Sequence, residues 1–440
     1  VRFLASDVAV ATGGRLDGAD VALSGTSFDS RTLAPGQLFV PLVADRDGHE
    51  FVAAAVAAGA PAYLCADDRP AVGGATAIRV ADTAGALLRL GAWARVRLDE
   101  RLAGRVVGIT GSVGKTSAKD LTAAALATTF RVAASERSFN NDQGLPVTIL
   151  NAPDDTEALV LEMGMRGHGE VARLCAVGRP HVGVVTTVAE AHGERVGGIE
   201  GVARAKAELV ESLGADGVAV LNADDARVAR MAAATDAKVL TFGEARHADV
   251  HVAQLAVDGL ARPRFVAETP WGTADVVLGV SGRHMALNAA AAIAVAGVLG
   301  VDLDAAAGAL TDASMSPMRM QLERLESGAL VLNDAYNANP TSMRAALHTL
   351  AELPGRRRVA VLGVMAELAE PEADHLAIAR LAHDLGVVLV PYGTDWYGVP
   401  PVADPLAALG PLTSDDVVLV KGSRVAGLER IVRELEAPAG

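Results

Sequence analysis

Residues 111–120 read GSVGKTSAKD and directly follow the apolar run VVGIT. A strand, a glycine loop and a helix N-terminus in that order place backbone N–H groups and a positive helix end around phosphate oxygens. Lys115 is then positioned to reach the outer phosphates of a nucleotide, and the Thr116 hydroxyl to ligate Mg²⁺. The general phosphate-loop pattern has a glycine five residues before Gly114, where this chain has Ile109. No guanine-reading Asn-Lys-x-Asp is found, so ATP is the expected nucleotide.

Other candidate groups stand where apolar runs end, which is where α/β sheets gather their ligands. Glu162 closes ALVLEMG, Thr187 closes VGVVTTV with His192 in the loop that follows, and Asp334 closes ALVLND. Glu162 and His192 are candidates to join Thr116 around Mg²⁺ or Mn²⁺, although a carboxylate at a strand end also serves as a helix cap. Two segments, SFNNDQGLP (138–146) and NDAYNANP (333–340), offer amides that donate and accept, and their residue types equally suit turns.

One residue type is scarce. Only five of the 39 basic residues are lysine: Lys115, Lys119, Lys206, Lys238 and Lys421. In GVARAKAELV (201–210), helical spacing puts Val202, Lys206, Leu209, Val210 and Leu213 on one face, with no carboxylate three or four residues away to pair with the amine. A lysine that merely covers apolar surface with its stem is the plain alternative. Lys119 and Lys238 read as surface charges, and Lys421, in KGSR, as a binder of an anionic group.

These residues need a scaffold. A chain of 440 residues exceeds one ordinary domain, and Gly-rich charged passages suggest borders near 103 and 318. The middle part alternates VVGIT, ALVLEMG, VGVVTTV and GVAVLN with helical stretches, and the last part repeats that rhythm with ALVLND, RRVAVLG, VVLVPYG and DDVVLVKG. Both patterns predict parallel sheets covered by helices, while the first part reads as mixed α/β, with short strands around LSGTSFDSR and GQLFVPL. The net charge of −14 argues against nucleic acid or an anionic membrane surface as partner. Two cysteines cannot build a disulfide framework, and VRFLASDVAVATGG has no apolar signal core, so a reducing cytoplasm is the expected compartment. The run MALNAAAAIAVAGVLGV (285–301) reads as a buried helix, not a membrane span.

GITGSVGKT, NNDQGLP, LEMGMRGHGE, EAHGERVGGIEGVARAKAEL, LNADD, GRHMALNAA, SPMRM, NDAYNANPTSM, LGVMAEL and KGSR occur in this order, and together they resemble the Mur ligases of peptidoglycan synthesis over nearly the whole chain. NDAYNANP followed by SM, with FDSR and DGHEF in the first part, resembles the branch that joins D-alanyl-D-alanine to UDP-N-acetylmuramoyl-tripeptide. The DYAH-type and DNPR-type segments of the branch that adds the third amino acid are not found.

The resemblance implies an ATP-dependent amide ligase of three α/β domains: a small mixed domain over 1–103 for the UDP-sugar, a central P-loop-type parallel-sheet ATPase domain over 104–317, and a Rossmann-like domain over 318–440 for the dipeptide and part of ATP. It assigns ATP to Gly111, Ser112, Gly114, Lys115, Thr116, Ser117, Asn288, Arg319, Asp334, Tyr336, Asn337 and Asn339. It assigns two Mg²⁺ ions to Thr116, Glu162, His192 and Lys206, the last as a carbamate formed with CO₂, which only an amine able to lose its proton can make. Lys115, Lys206, His192 and Asp334 are the implied catalytic residues. Asp29, Ser30, Arg31, Asp47, Gly48 and His49 are implied for the UDP-sugar, and Asn140 and Asn141 for the peptide end. Thr187 replaces the Asn of many relatives, and Gly193 follows His192 where an apolar residue is common. A monomer is expected, and the third residue of the tripeptide, diaminopimelate or lysine, is not distinguished. A folate-type ligase of the same family and a nucleotide-regulated binding protein are the competing readings; the first lacks a complete first domain, and the second would have lost Lys206, His192 or Asp334.

Overall fold

A computed structural model describes residues 1–136, 139–189, 196–366 and 368–436. Three main sheets follow one another along the chain. The first has five strands in the order Arg15–Asp17, Thr76–Val80, Ala62–Ala66, Leu38–Phe39 and Thr26–Ser27, parallel except at the Arg15–Asp17 edge. A separate pair, Arg2–Leu4 with Ala22–Ser24, closes that part of the chain.

The middle sheet carries the phosphate loop. Seven of its nine strands run parallel, in the order Val132–Ala134, Ala158–Glu162, Val106–Thr110, Val182–Val185, Val218–Asn222, Lys238–Gly243 and Val250–Val257. The antiparallel strands Pro263–Thr269 and Gly272–Val277 then extend one edge. The middle of the sheet is covered on both faces, so Ala158–Glu162, Val106–Thr110 and Val182–Val185 are buried throughout: Val107 and Ile109 join a core with Leu121 and the alanine-rich helix Met285–Val298, whereas Val106 joins the opposite core with Leu145 and Leu209. Small alanine side chains let Met285–Val298 lie close against Lys115–Ala127, the helix that begins at the phosphate loop.

Helix Gly198–Glu211, which carries Lys206, also sits close to its sheet. Gly108 and Gly183 are register partners on neighbouring strands, and Leu209 lies over both. A Cβ on Gly108 would stand 3.0 Å from Leu209 Cδ1, and one on Gly183 3.2 Å from Leu209 Cγ. The absence of two side chains thus sets how deep this helix rests.

The last sheet has the order Gln321–Arg324, Leu330–Asp334, Asp416–Lys421, Arg357–Leu362 and Val388–Pro391, parallel after its antiparallel first pair. The predicted strands and the buried helix are found; the structure adds strands at 2–4, 15–17, 62–66, 76–80, 132–134, 238–243, 250–257, 263–269, 272–277 and 321–324 that the sequence patterns do not mark.

Gly108→Val should push helix Gly198–Glu211 off the sheet, at about 1–3 kcal/mol for overpacking. The expected outcome is a melting temperature lower by several degrees; an unchanged value would refute this account of the helix seat.

Candidate functional site

A cleft opens where the phosphate loop meets the carboxyl ends of strands in the last sheet. Ser112, Gly114, Lys115, Thr116, Ser117 and Asn288 form one wall, and Arg319, Asp334, Asn337, Asn339 and Lys421 the other. Ten of the expected nucleotide residues therefore converge; Gly111 and Tyr336 are not part of this lining.

The loop is held from the neighbouring strand end. Ser112 N donates to Thr187 O at 2.8 Å, Val113 N to Thr187 Oγ1 at 3.0 Å, and Thr186 Oγ1 to Val113 O at 2.6 Å. Thr187, the departure from the family pattern, thus serves as a prop for the loop backbone. Gly114 has φ +89°, and a Cβ there would lie 2.4 Å from Asn288 Oδ1, so the position excludes any other residue. Asn288 is in this way pressed against the loop.

Four groups meet at the start of helix Lys115–Ala127. Lys115 Nζ donates to Gly111 O at 2.7 Å, folding over the loop. Burial lowers its pKa, the Glu162 carboxylate opposes that shift, and Arg319 adds to it. Thr116 Oγ1 donates to Glu162 Oε2 at 2.8 Å and accepts from Arg319 Nη2 at 3.3 Å. The other Glu162 oxygen accepts from Asn140 Nδ2 at 2.7 Å, and Glu162 is only 1% exposed. Arg319 lies over the Tyr336 ring, 4.2 Å from its centroid, so that ring serves the guanidinium.

The opposite wall is built around Asp334, which ends its strand as expected. It accepts from Met320 N at 3.2 Å and from Lys421 Nζ, which also donates to Asn337 O at 2.9 Å. Lys421 therefore already holds an anion, and it is the protein's own. Asn339 caps helix Pro340–Glu352, its Oδ1 accepting from Ser342 N at 2.9 Å. His284 lines the cleft but was absent from the expected site, although GRHMALNAA contains it. Surrounding protein holds its imidazole down to about 4, against the pull of Asp334 and aided by Lys421.

Lys206 is 4% exposed, and among the described residues its amine makes no hydrogen bond or ion pair. Burial, with a further push from the Lys115 charge, holds its pKa well below the ordinary lysine value. His192 and Gly193 lie outside the described residues.

The first-domain residues stand apart from the cleft. Asp29 pairs with Arg31 at 2.6 Å, which lowers its carboxyl pKa, and Ser30 lies between them in the chain. Asp47 accepts from the backbone of His49, contacts its ring at 2.7 Å and pairs with Arg69, while Gly48 begins the short 3-10 turn Gly48–Phe51. Phe28 touches Phe139, ring centroids 5.7 Å apart, which brings the FDSR segment beside Asn140. Asn141 acts as a turn former: its Oδ1 accepts from Gln143 N and Gly144 N. Lys238 is exposed as expected, but Lys119 is no surface charge; it is 2% exposed because Ser135 O and Asp120 meet its amine inside the protein.

Comparison with known proteins gives a consistent picture. Residues 109–296 match the Mur ligase middle domain, and residues 318–424 the domain described as "Mur ligase, glutamate ligase domain". The UDP-N-acetylmuramoyl-tripeptide--D-alanyl-D-alanine ligase of Mycobacterium tuberculosis (strain ATCC 25618 / H37Rv) is 41% identical over 483 residues, covering 96% of this chain and 94% of that one. A crystal structure of MurF from Acinetobacter baumannii superposes with a TM-score of 0.86 at 28% identity, covering 99% of both chains. The MurF ligase of Thermotoga maritima in complex with ADP gives 0.80 at 27% identity, over 94% of this chain and 97% of that one.

The His284 environment makes a prediction about acid stability. Its folded pKa of about 4 lies below the ordinary 6.5, so as pH falls through that window the unfolded chain binds the proton first. This contribution is complete above pH 6.5 and is lost progressively toward pH 4. His284→Asn should flatten the melting temperature over that range relative to the native protein, and two parallel curves would refute it.

Proposed function

The chain belongs to the Mur ligase family, and on that premise we propose that it joins D-alanyl-D-alanine to UDP-N-acetylmuramoyl-tripeptide at the expense of ATP. The observation that carries this reading is a single cleft in which the phosphate loop of the middle domain faces Arg319, Asp334 and Lys421 of the last, in a chain that matches ligases named for this reaction from end to end. Residues 1–103 would hold the UDP-sugar, 104–317 ATP, and 318–440 the incoming dipeptide. The compartment is the cytoplasm; among the described residues no helix is long and apolar enough to cross a membrane.

A carboxylate does not accept an amine until one of its oxygens becomes a good leaving group. The terminal carboxylate oxygen of the tripeptide attacks the γ-phosphorus of ATP, ADP departs, and an acyl phosphate forms. The dipeptide amine then attacks the acyl carbon, inorganic phosphate departs, and the amine proton passes to the medium. The protein positions two anions that repel each other and offsets their charge. Lys115 and Arg319 supply cations at the Thr116 end of the helix, while Lys421 and Met320 N fix Asp334 at the opposite wall.

The oxygen donors suit Mg²⁺: a buried carboxylate, Glu162, is hydrogen-bonded to the Thr116 hydroxyl. Thr116, Glu162 and His192 would hold one ion, and Lys206 as a carbamate a second. Bound Mg²⁺ would offset phosphate charge. The desolvated Lys206 amine favours its neutral form; its nitrogen would attack CO₂, a proton would leave, and an anion would result where, among the described residues, no carboxylate pairs with it.

Phosphate release from the purified protein with ATP, Mg²⁺, UDP-N-acetylmuramoyl-tripeptide and D-alanyl-D-alanine, each omitted in turn, tests the reaction. Turnover should require all four, and turnover indifferent to the dipeptide would sink the proposal. Lys206→Ala should lose roughly 10²–10³-fold in turnover, the scale of one lost electrostatic group in an active site. Acetate or propionate should restore part of it; full activity in the unsupplemented variant would reject the carbamate.

A further inference from the structure

The connection between the middle and last domains is gripped by the helix that begins at the phosphate loop. Ser316 N donates to Asp120 Oδ2 at 2.7 Å and Ser316 Oγ to Asp120 Oδ1 at 3.1 Å. Lys119 Nζ pairs with Asp120 Oδ1 at 2.8 Å, donates to Ser135 O at 2.6 Å, and lies 3.4 Å from Ser316 Oγ. The Lys119 and Asp120 side chains are only 3% and 9% exposed. A desolvated ion pair is a poor source of stability compared with apolar packing, and its best-attested use is to fix a geometry.

The geometry fixed here is that of Met318, Arg319 and Met320. Met318 and Met320 both have left-handed backbones, with φ +60° and +52°, and Arg319 stands between them. Two such residues persist only where their surroundings over-determine them. The surroundings are the Asp120 grip on Ser316 at one end and Asp334, which accepts from Met320 N, at the other. Arg319 then reaches back to Thr116, one helical turn before Asp120 on the same face of Lys115–Ala127. One helix thus holds both the root of Arg319 and its guanidinium.

We propose that Asp120 and Ser316, with Lys119 as their buried counter-charge, are positioning residues that set Arg319 against the nucleotide phosphates. The proposal rests on the reading of Arg319 as a phosphate counter-charge. No substrate contact is assigned to the three residues; they act through Arg319.

A double-mutant cycle on ATP affinity, read by titration calorimetry of the full chain, tests this. Arg319→Ala should weaken ATP by about tenfold, and Asp120→Asn and Ser316→Ala each by about threefold to fivefold, the range of a lost charge-assisted or neutral hydrogen bond. In the Arg319→Ala background the same changes should cost less than about twofold, and Ser316→Thr, which keeps the hydroxyl, should stay within about twofold of the native protein. Ser316→Ala leaves the Lys119–Asp120 pair intact, so it decides the matter if Asp120→Asn does not fold. Losses that multiply in the double variants, or native affinity in both single variants, would overturn the clamp. Absence of dipeptide-dependent phosphate release in the native protein would instead overturn the proposed reaction while leaving this binding cycle readable.

Discussion

An ammonium taken out of water must be met by an anion or a carbonyl, or it gives up its proton. That constraint organises this protein. Lys119, Lys206 and Lys421 are 2%, 4% and 1% exposed, Lys115 is half-buried at the phosphate loop, and of the five lysines only Lys238 lies fully on the surface. Lys119 is met by Asp120 and the Ser135 carbonyl, Lys421 by Asp334 and the Asn337 carbonyl, and Lys115 by the Gly111 carbonyl. Each pairing fixes a segment that borders the cleft. Arginine, with a broad planar head, serves where two partners are engaged at once: the buried Arg95 meets Asp99 and Gly178 O, and Arg319 meets Thr116 and the Tyr336 ring. Of these four lysines, Lys206 alone has no such partner among the described residues, and its amine is accordingly pushed toward the neutral form.

The parts of the site visible in the sequence were those whose neighbours in the chain are also their neighbours in space. GSVGKTS is a strand, a loop and a helix start within a dozen residues, and the apolar run around Asn288 declared its own burial. Lys119 was misread because its flanking residues, Ala118 and Asp120, say nothing of Ser316, which lies 197 positions on. Asp334 was legible at its strand end and Lys421 as the binder of an anionic group, but the two stand 87 residues apart, so their pairing with each other was not. In the first domain LSGTSFDSR and GQLFVPL marked the two-residue strands Thr26–Ser27 and Leu38–Phe39, whereas Ala62–Ala66 and Thr76–Val80 are short, almost wholly buried runs without alternation, which periodicity alone does not tell from a buried helix. Strand Val250–Val257 escaped for a different reason: it is part-exposed along much of its length and so lacks a clean apolar run.

The two junctions between domains differ in kind. At the first, Asn151 pairs with the Thr26 backbone, accepting from its N at 2.7 Å and donating to its O at 3.0 Å, and the buried Arg95 donates to Gly178 O at 2.8 Å. These bonds are complete without any ligand. The second junction has an apolar core, with Leu332 and Leu362 continuous with Val107 and Ile109, but its rim carries the cations Lys115, Arg319 and Lys421 along the cleft. A polyanion would complete that rim.

The cleft draws its walls from both sides of this second junction, and that has a pharmacological consequence. A compound that touches only the phosphate loop binds every conformer alike. One that bridges Asn288 and Asp334 binds only molecules whose walls are together, so its apparent Kd is the intrinsic value divided by the fraction so arranged. If that fraction were about one in a hundred, a well-fitted inhibitor would look about a hundredfold weaker than its contacts deserve. Potency in this cleft would then be gained as much by shifting the domain equilibrium as by adding contacts.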